Sequence, residues 1–278
     1  MSGMIDLRNK AVVVTGGTMG IGLATGIAFA KAGADVTLTY KWGSVDADDV
    51  KARFRKEDAR EPQVVEADVT VDEHTTALLE GVKARGHQRI HAFVSNVSVA
   101  AVIRGLEDYE ERSLYRSLAA SAWPMIAYTK ESKRIFGNVP RHIIGLSSGG
   151  PDHFYKDYDF VAATKAVLET FCRYLSYRLF DEDCRINVVR SRMVTTESFK
   201  ATFGEEFENF LVRLNMTKQF ISCEQVAGPI LALCSGMLDA MSGQVLMVDR
   251  GATFFDNLMR LYQERDLLDL EPKKETVR

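Results

Sequence analysis

Short runs of β-branched residues alternate along the chain with longer stretches in which apolar positions recur at helical spacing. Lys10–Thr15 (KAVVVT) predicts a buried strand, and Gly20–Lys31 a helix that ends at Gly33. Asp35–Tyr40 predicts a second strand, Asp46–Arg60 a charged helix, Gln63–Ala67 a third strand and Asp72–Ala84 another helix. Further strands are expected at Ile90–Ser95, Arg141–Ser147, Arg185–Val189 and Gln244–Val248. Helical regions are expected at Leu106–Phe136, Tyr158–Phe180 and Cys223–Cys234. Strands separated by helices imply βαβ units and a parallel sheet. The unbroken apolar runs VVV, VV, FV and II suit strands covered on both faces. The predicted fold is α/β, a doubly wound parallel sheet.

Two segments break this rhythm. Residues 194–222 form a long, partly amphipathic insertion placed as a substrate lid would be. Residues 253–278 form a tail, aromatic and apolar at first and highly charged at the end. No Pro/Gly/Ser-rich linker divides the 278 residues, so 1–278 reads as a single domain with its core at about 8–252.

Composition narrows the function classes. Lys and Arg total 35 against 38 Asp and Glu, a net charge of −3, without the basic excess that drives phosphate-backbone binding. No nucleic-acid partner is expected. MSGMIDLRNK lacks the apolar run of a signal peptide. No stretch approaches the roughly 18 apolar residues of a membrane span. The expectation is a soluble, cytoplasmic protein with no membrane partner. The cysteines at 172, 184, 223 and 234 form no CxxC pair or Cys/His cluster, so they read as small core residues and no metal is expected.

The first predicted strand runs into Thr15-Gly16-Gly17-Thr18-Met19-Gly20-Ile21-Gly22, which opens a helix. Such a junction brings backbone N–H groups and the positive end of the helix dipole to a pyrophosphate. The TGxxxGxG spacing resembles the short-chain dehydrogenase/reductase superfamily, and the likeness spans roughly residues 8–252. The resemblance implies one Rossmann-type domain. It implies cofactor contacts from Gly16, Thr18, Met19, Gly20, Ile21 and Gly22, from Asp68 and Val69 at the adenine, and from Asn96 and Val97. Ile186-Asn187-Val188-Val189 matches the sixth strand, but the usual Pro-Gly after it is Ser191-Arg192. Val194 and Thr196 keep the positions that face nicotinamide and phosphate, and Arg250 stands where a glycine is usual. Tyr40 and Lys41 end the second strand, where an acidic residue would bind the ribose 2′-OH of NADH. Lys41 suits a 2′-phosphate, with Ser44 as a second partner, so NADPH is expected over NADH.

The expected reacting residues are Tyr158, Lys165 and Ser148. In the superfamily a tyrosine usually precedes the lysine by four residues, but Val161 stands there and cannot donate a proton. Tyr158 lies seven residues before Lys165, still on its helix face and displaced by roughly a further 4.5 Å along the axis. Tyr-x6-Lys resembles the enoyl-acyl carrier protein reductases. In an enoyl thioester, hydride enters at Cβ while charge develops on a more distant carbonyl oxygen, so the acid must stand farther from the nicotinamide. Lys165 would hold the nicotinamide ribose and lower the phenol's pKa. Ser148 aligns with the superfamily's reacting serine and points back to carbonyl reduction. The helical asparagine of ketone reductases is replaced by Ser121 or Ala119, and Tyr155 is an alternative donor.

The resemblance therefore implies NADPH-dependent reduction of an enoyl thioester, including one borne by an acyl carrier protein. Ketone or aldehyde reduction through Ser148 and Tyr158 is the alternative, and an impaired NADP-binding protein the third reading. A homodimer or homotetramer is implied, joined through the helices at Leu106–Phe136 and Tyr158–Phe180. Met193, Phe199, Phe203, Phe207 and Phe210 read equally as core or as the wall of an acyl pocket. Arg190 and Arg192 read as anion contacts or as salt-bridge partners.

Overall fold

The alternating pattern folds into seven parallel strands with helices on both faces. A computed structural model describes residues 5–41, 46–196, 206, 209–212, 220–254 and 257–268. The elements in chain order are β1 (Ala11–Val14), α1 (Gly20–Lys31), β2 (Asp35–Tyr40), α2 (Ala47–Lys56), β3 (Gln63–Glu66), α3 (Asp72–Ala84) and β4 (Ile90–Ser95). They continue with α4 (Glu111–Ser121), α5 (Pro124–Phe136), β5 (His142–Ser148), α6 (Asp159–Arg178), β6 (Arg185–Ser191), α7 (Cys223–Leu233), β7 (Gln244–Val248) and α8 (Asn257–Gln263). The strand order is β3-β2-β1-β4-β5-β6-β7.

Strand periodicity assigns alternate side chains to two cores. Val12 and Val14 join Leu38, Phe29, Phe54 and Ile230 on the side of α1, α2 and α7. Val13 joins Phe93, Ile143, Leu79, Tyr128 and Leu168 on the side of α3, α5 and α6. Cys172, Cys184 and Cys234 are buried among these side chains, and burial pushes their thiols up to about 12 or beyond. No described helix is long and apolar enough to cross a membrane.

The expected helical region at Leu106–Phe136 is three pieces: a 3-10 turn at Leu106–Asp108, then α4, then α5. Pro124 occupies the first turn of α5, where its missing N–H costs no hydrogen bond, and a continuous helix through it would lose one. The ends of the expected lid are tied together. Val194 bridges Ile221, and Ile221 N–H donates to the Met193 carbonyl at 3.0 Å. Phe199, Phe203 and Phe207 lie outside the described residues, while Phe210 is half-exposed beside buried Leu211. The tail carries a 3-10 turn at Ala252–Phe254, α8 and a 3-10 turn at Arg265–Leu268; residues 269–278 lie outside the described residues.

At the amino ends of the strands, Arg141 bridges Asp183 and also Asp239, the latter at 2.5 Å. Beside them His142 is fully buried, both ring nitrogens without a hydrogen-bond partner, its ring 5.0 Å from that of His91. Burial, with His91, Arg141 and Arg185 nearby, pushes His142 down to about 3. Unfolded, the same ring takes a proton near 6.5. The unfolded chain therefore binds the extra proton between those values, and stability falls with falling pH by up to about 1.4 kcal/mol per unit. Urea unfolding at pH 7, 5 and 4 should show His142→Leu losing less stability on acidification than the native chain. Equal losses would show that His142 carries none of the acid sensitivity.

Candidate active site

β1 pairs with β2 on one side and β4 on the other, so the order of strands reverses there. A crevice at the carboxyl ends of the strands is the general result at such a point. It is present here as a cavity of about 570 Å³, fed by the β1–α1 loop, the ends of β2 to β6 and one face of α6. Of the expected residues, Gly16, Thr18, Met19, Gly20, Ile21, Lys41, Asp68, Val69, Asn96, Val97, Ser148, Tyr158, Lys165, Val194 and Thr196 all line it. Ser44 lies outside the described residues.

Gly22 is the exception among the expected cofactor contacts, because it does not line the cavity. A Cβ there would stand 2.5 Å from the Gly16 carbonyl oxygen and 2.6 Å from the Asn96 amide nitrogen. Its bare backbone instead lets α1 pack against the loop. Asn96 locks that loop, donating from Nδ2 to the Thr15 carbonyl at 3.0 Å and the Gly16 carbonyl at 2.9 Å. α1 then starts at Gly20 with no side-chain cap and no acidic residue in its first turn. Its positive end opens on the cavity, suited to a phosphate.

At the far end Asp68 accepts from Thr70 N–H at 2.9 Å and Thr70 Oγ1 at 2.8 Å, and it pairs with Lys41. Burial pushes this carboxyl up, but the contacts with Lys41 and Thr70 outweigh it and hold the group below the usual range. Lys41 therefore faces the cavity already engaged by a carboxylate from the neighbouring strand.

Tyr158, Val161 and Lys165 line the cavity from the start of α6. Tyr158 is the residue that caps α6, at φ −115° and ψ 9°, so regular helix begins one residue after it. Ser148 lies close enough to act on its phenol. Burial holds the phenol above its ordinary range, with Ser148 opposing and the neighbouring Tyr155 adding to it. The lowering expected from Lys165 is not found: its charge is not among the influences on the phenol, and burial raises it instead. Tyr155 meets Tyr158 edge to face at 5.4 Å but lines a neighbouring cavity of about 550 Å³ instead. That second cavity is walled by Tyr109, His153, Phe154, Tyr155, Tyr158 and Phe160, so Tyr158 belongs to both. Two glycines that the sequence reading missed make room for the pair of rings. A Cβ on Gly149 would fall 2.4 Å from the Tyr155 hydroxyl, and one on Gly150 3.0 Å from Tyr158 Cε1.

Lys165 is buried, and no described residue accepts a hydrogen bond from its ammonium. Burial pushes it down to about 8, with Glu169 opposing. An ammonium held in the cavity wall without an acceptor suits the hydroxyls of a ribose. Ser121 cannot stand in for the asparagine of ketone reductases in this arrangement. Its hydroxyl accepts from Val99 N–H and donates to the Val99 carbonyl, both at 2.9 Å. Arg190 resolves to a buried ion pair with Glu169, a partner the sequence reading did not name although it stands one turn after Lys165. Arg192 stacks over Tyr155 at 5.8 Å and donates to Thr253 Oγ1 at 3.1 Å.

The cavity's size, the open helix end and an ammonium with no acceptor among the described residues together fit an elongated dinucleotide. Comparison with known proteins agrees. Residues 16–253 match the family described as enoyl-(acyl carrier protein) reductase. The 1-cyclohexenylcarbonyl-CoA reductase of Streptomyces collinus is 26% identical over 248 residues, covering 88% of this chain and 87% of that protein. The chloroplastic NADPH-dependent aldehyde reductase 1 of Arabidopsis thaliana is 25% identical over 254 residues, covering 88% and 87%. The crystal structure of the enoyl-[acyl-carrier-protein] reductase (NADH) of Aquifex aeolicus shares the fold, with a TM-score of 0.75 at 23% identity over 90% of this chain and 98% of that one. Relatives thus include both enoyl and aldehyde reductases, and both NADH and NADPH appear in their names. The chain is a nicotinamide-dependent oxidoreductase of the short-chain dehydrogenase/reductase superfamily, and within it belongs to the enoyl-(acyl carrier protein) reductase family.

Proposed function

We propose that the chain reduces the carbon–carbon double bond of an enoyl thioester with NADPH. One observation carries this reading: Tyr158 lines the cavity on the same helix end as Lys165, while the position one turn nearer the lysine is the inert Val161. Bound NADPH supplies a hydride to the β-carbon of the substrate. Tyr158 donates a hydrogen bond, then a proton, to the thioester oxygen on which charge develops, and the enol so formed tautomerises to the saturated thioester as its proton passes from oxygen to the α-carbon. Ser148 orients the phenol, and the Lys165 ammonium holds the ribose hydroxyls. The raised pKa of the half-buried phenol keeps it protonated at neutral pH, as a donor must be. The placement of Ser148 and Tyr158 together on the cavity wall also favours a second reading, reduction of a ketone or aldehyde with both hydroxyls at the carbonyl oxygen.

Crotonyl-thioester and acetoacetyl-thioester assays with NADPH separate the two; turnover of the crotonyl substrate is expected, and reduction of the acetoacetyl substrate alone would transfer the assignment to the second reading. Tyr158→Phe should bind NADPH normally and lose roughly 10²–10⁴-fold in rate. Full activity in that variant would remove Tyr158 from the chemistry.

The pH dependence follows from the lysine. Lys165 is charged below about 8 and neutral above it, so kcat/KM should fall as pH rises through that value. In Lys165→Arg the guanidinium stays charged and the falling limb should disappear from this range. A limb that stays in place would belong to another group.

Lys41 supports the choice of NADPH, since a 2′-phosphate can take its charge in competition with Asp68. Lys41→Asp should shift the ratio of kcat/KM for NADPH over NADH toward NADH by about tenfold or more, equal to about 1.4 kcal/mol. An unchanged ratio would show that the 2′ position is read elsewhere.

A further inference from the structure

Against the cavity wall, which it reaches at Ser147, lies a network that the proposed reaction does not use directly. Glu169, on α6 one turn after Lys165, has its side chain only 4% exposed, and the Arg190 side chain on β6 only 8%. They meet as a fork: Arg190 Nε donates to Glu169 Oε1 at 2.9 Å and Nη2 to Oε2 at 2.5 Å. Ser147 Oγ, at the end of β5, donates to the same Oε1 at 2.6 Å. Arg190 Nη1 reaches outward to Asp152, in the loop between β5 and α6. One buried pair thus joins four pieces of backbone: α6 with Lys165, the end of β5 beside Ser148, the loop that leads to Tyr158, and β6 beside Ser191, which lines the cavity.

A buried ion pair is weak evidence for stability, because desolvating two charges offsets most of their attraction. Its geometry, by contrast, is restrictive, since a guanidinium and a carboxylate joined in a fork tolerate little sliding. We infer that Glu169 and Arg190 are a positioning pair, holding β5, β6, α6 and the β5–α6 loop in the register at which Ser148, Tyr158 and Lys165 converge. The inference rests on the reading of Tyr158 and Lys165 as the reacting groups. Neither Glu169 nor Arg190 touches the cavity, so their effect passes through Ser147, Asp152 and the helix. A misplacement on the order of 1 Å at reacting atoms is enough to cost about 10²-fold in rate.

The test compares Glu169→Gln, the charge-free pair Glu169→Gln/Arg190→Met, and Ser147→Ala with the native chain. Each is measured for thermal unfolding, for NADPH affinity by fluorescence, and for kcat and KM on crotonyl-CoA and acetoacetyl-CoA. Glu169→Gln leaves a buried guanidinium short of its partner and should unfold at a lower temperature. The double variant should recover that stability, keep NADPH affinity and KM within about threefold, and still lose at least about tenfold in kcat. A merely structural pair predicts the reverse, with kcat returning as stability returns, and that result overturns the proposal. Should the double variant fail to fold, Ser147→Ala decides: a kcat loss of about threefold or more at unchanged NADPH affinity supports it, and an unchanged kcat overturns it. A native chain inert toward both thioesters, or a fully active Tyr158→Phe, overturns the reading of the site and this proposal with it. Turnover that Tyr158→Phe abolishes and the double variant retains overturns the pair's role alone.

Discussion

Because β1 is paired on one side with β2 and on the other with β4, the chain leaving β1 and the chain leaving β4 turn to opposite faces of the sheet. Neither can cover the carboxyl ends of the strands between them, and a crevice stays open there whatever side chains line it. Everything else at the site follows from filling that crevice with polar groups without unravelling it. The β1–α1 loop would expose its carbonyls were Asn96 not spanning two of them from β4. α1 can begin without a cap because its free N–H groups face the crevice rather than apolar core. The fold thus places an anion-seeking helix end beside a cavity, and the glycines let that helix end lie close to the loop.

The charges divide along the cavity. At the β2 end, Lys41 and Asp68 neutralise each other in a partly exposed setting, where an ion pair contributes little and exchanges readily. At the α6 end, Lys165 stands buried with no hydrogen-bond acceptor among the described residues, and its proton is retained with less margin than that of an ordinary lysine. The first arrangement suits a group that discriminates between ligands by charge. The second suits a group whose hydrogen bonds are reserved for the ligand.

The strands were legible in the sequence because a parallel sheet buried on both faces writes itself as short, unbroken apolar runs. The glycine loop was legible because it sits at one fixed place in the first βα unit. Pro124, by contrast, interrupts a periodic stretch that otherwise reads as one helix, and its position in a first turn depends on how α4 and α5 pack. Glu169 and Arg190 were not read as a pair because they are 21 residues apart and meet only when α6 packs on β6. The i+4 spacing from Lys165 to Glu169 was the one local hint. Gly149 and Gly150 went unnoticed for a related reason: they resemble an ordinary turn, and only the two tyrosine rings folded against them show why a Cβ is excluded.

The spacing from Tyr158 to Lys165 carries less on its own than helical geometry suggests. The calculation of a phenol displaced along a helix assumes that both residues belong to it, yet Tyr158 lies just outside, at the cap. Its ring is placed by its neighbours: Ser148 at the phenol, Tyr155 edge to face, and Gly150 giving way beside Cε1. The position of the Tyr158 phenol relative to the cavity is therefore a property of the β5–α6 loop more than of α6. That loop is tied to the rest of the fold through Asp152, Arg190 and Glu169. A change that moved the loop while leaving Tyr158 and Lys165 in the sequence would preserve the spacing and lose the geometry. The place of the Tyr158 ring over the cavity is thus set by the packing around it, and the spacing to Lys165 alone does not determine it.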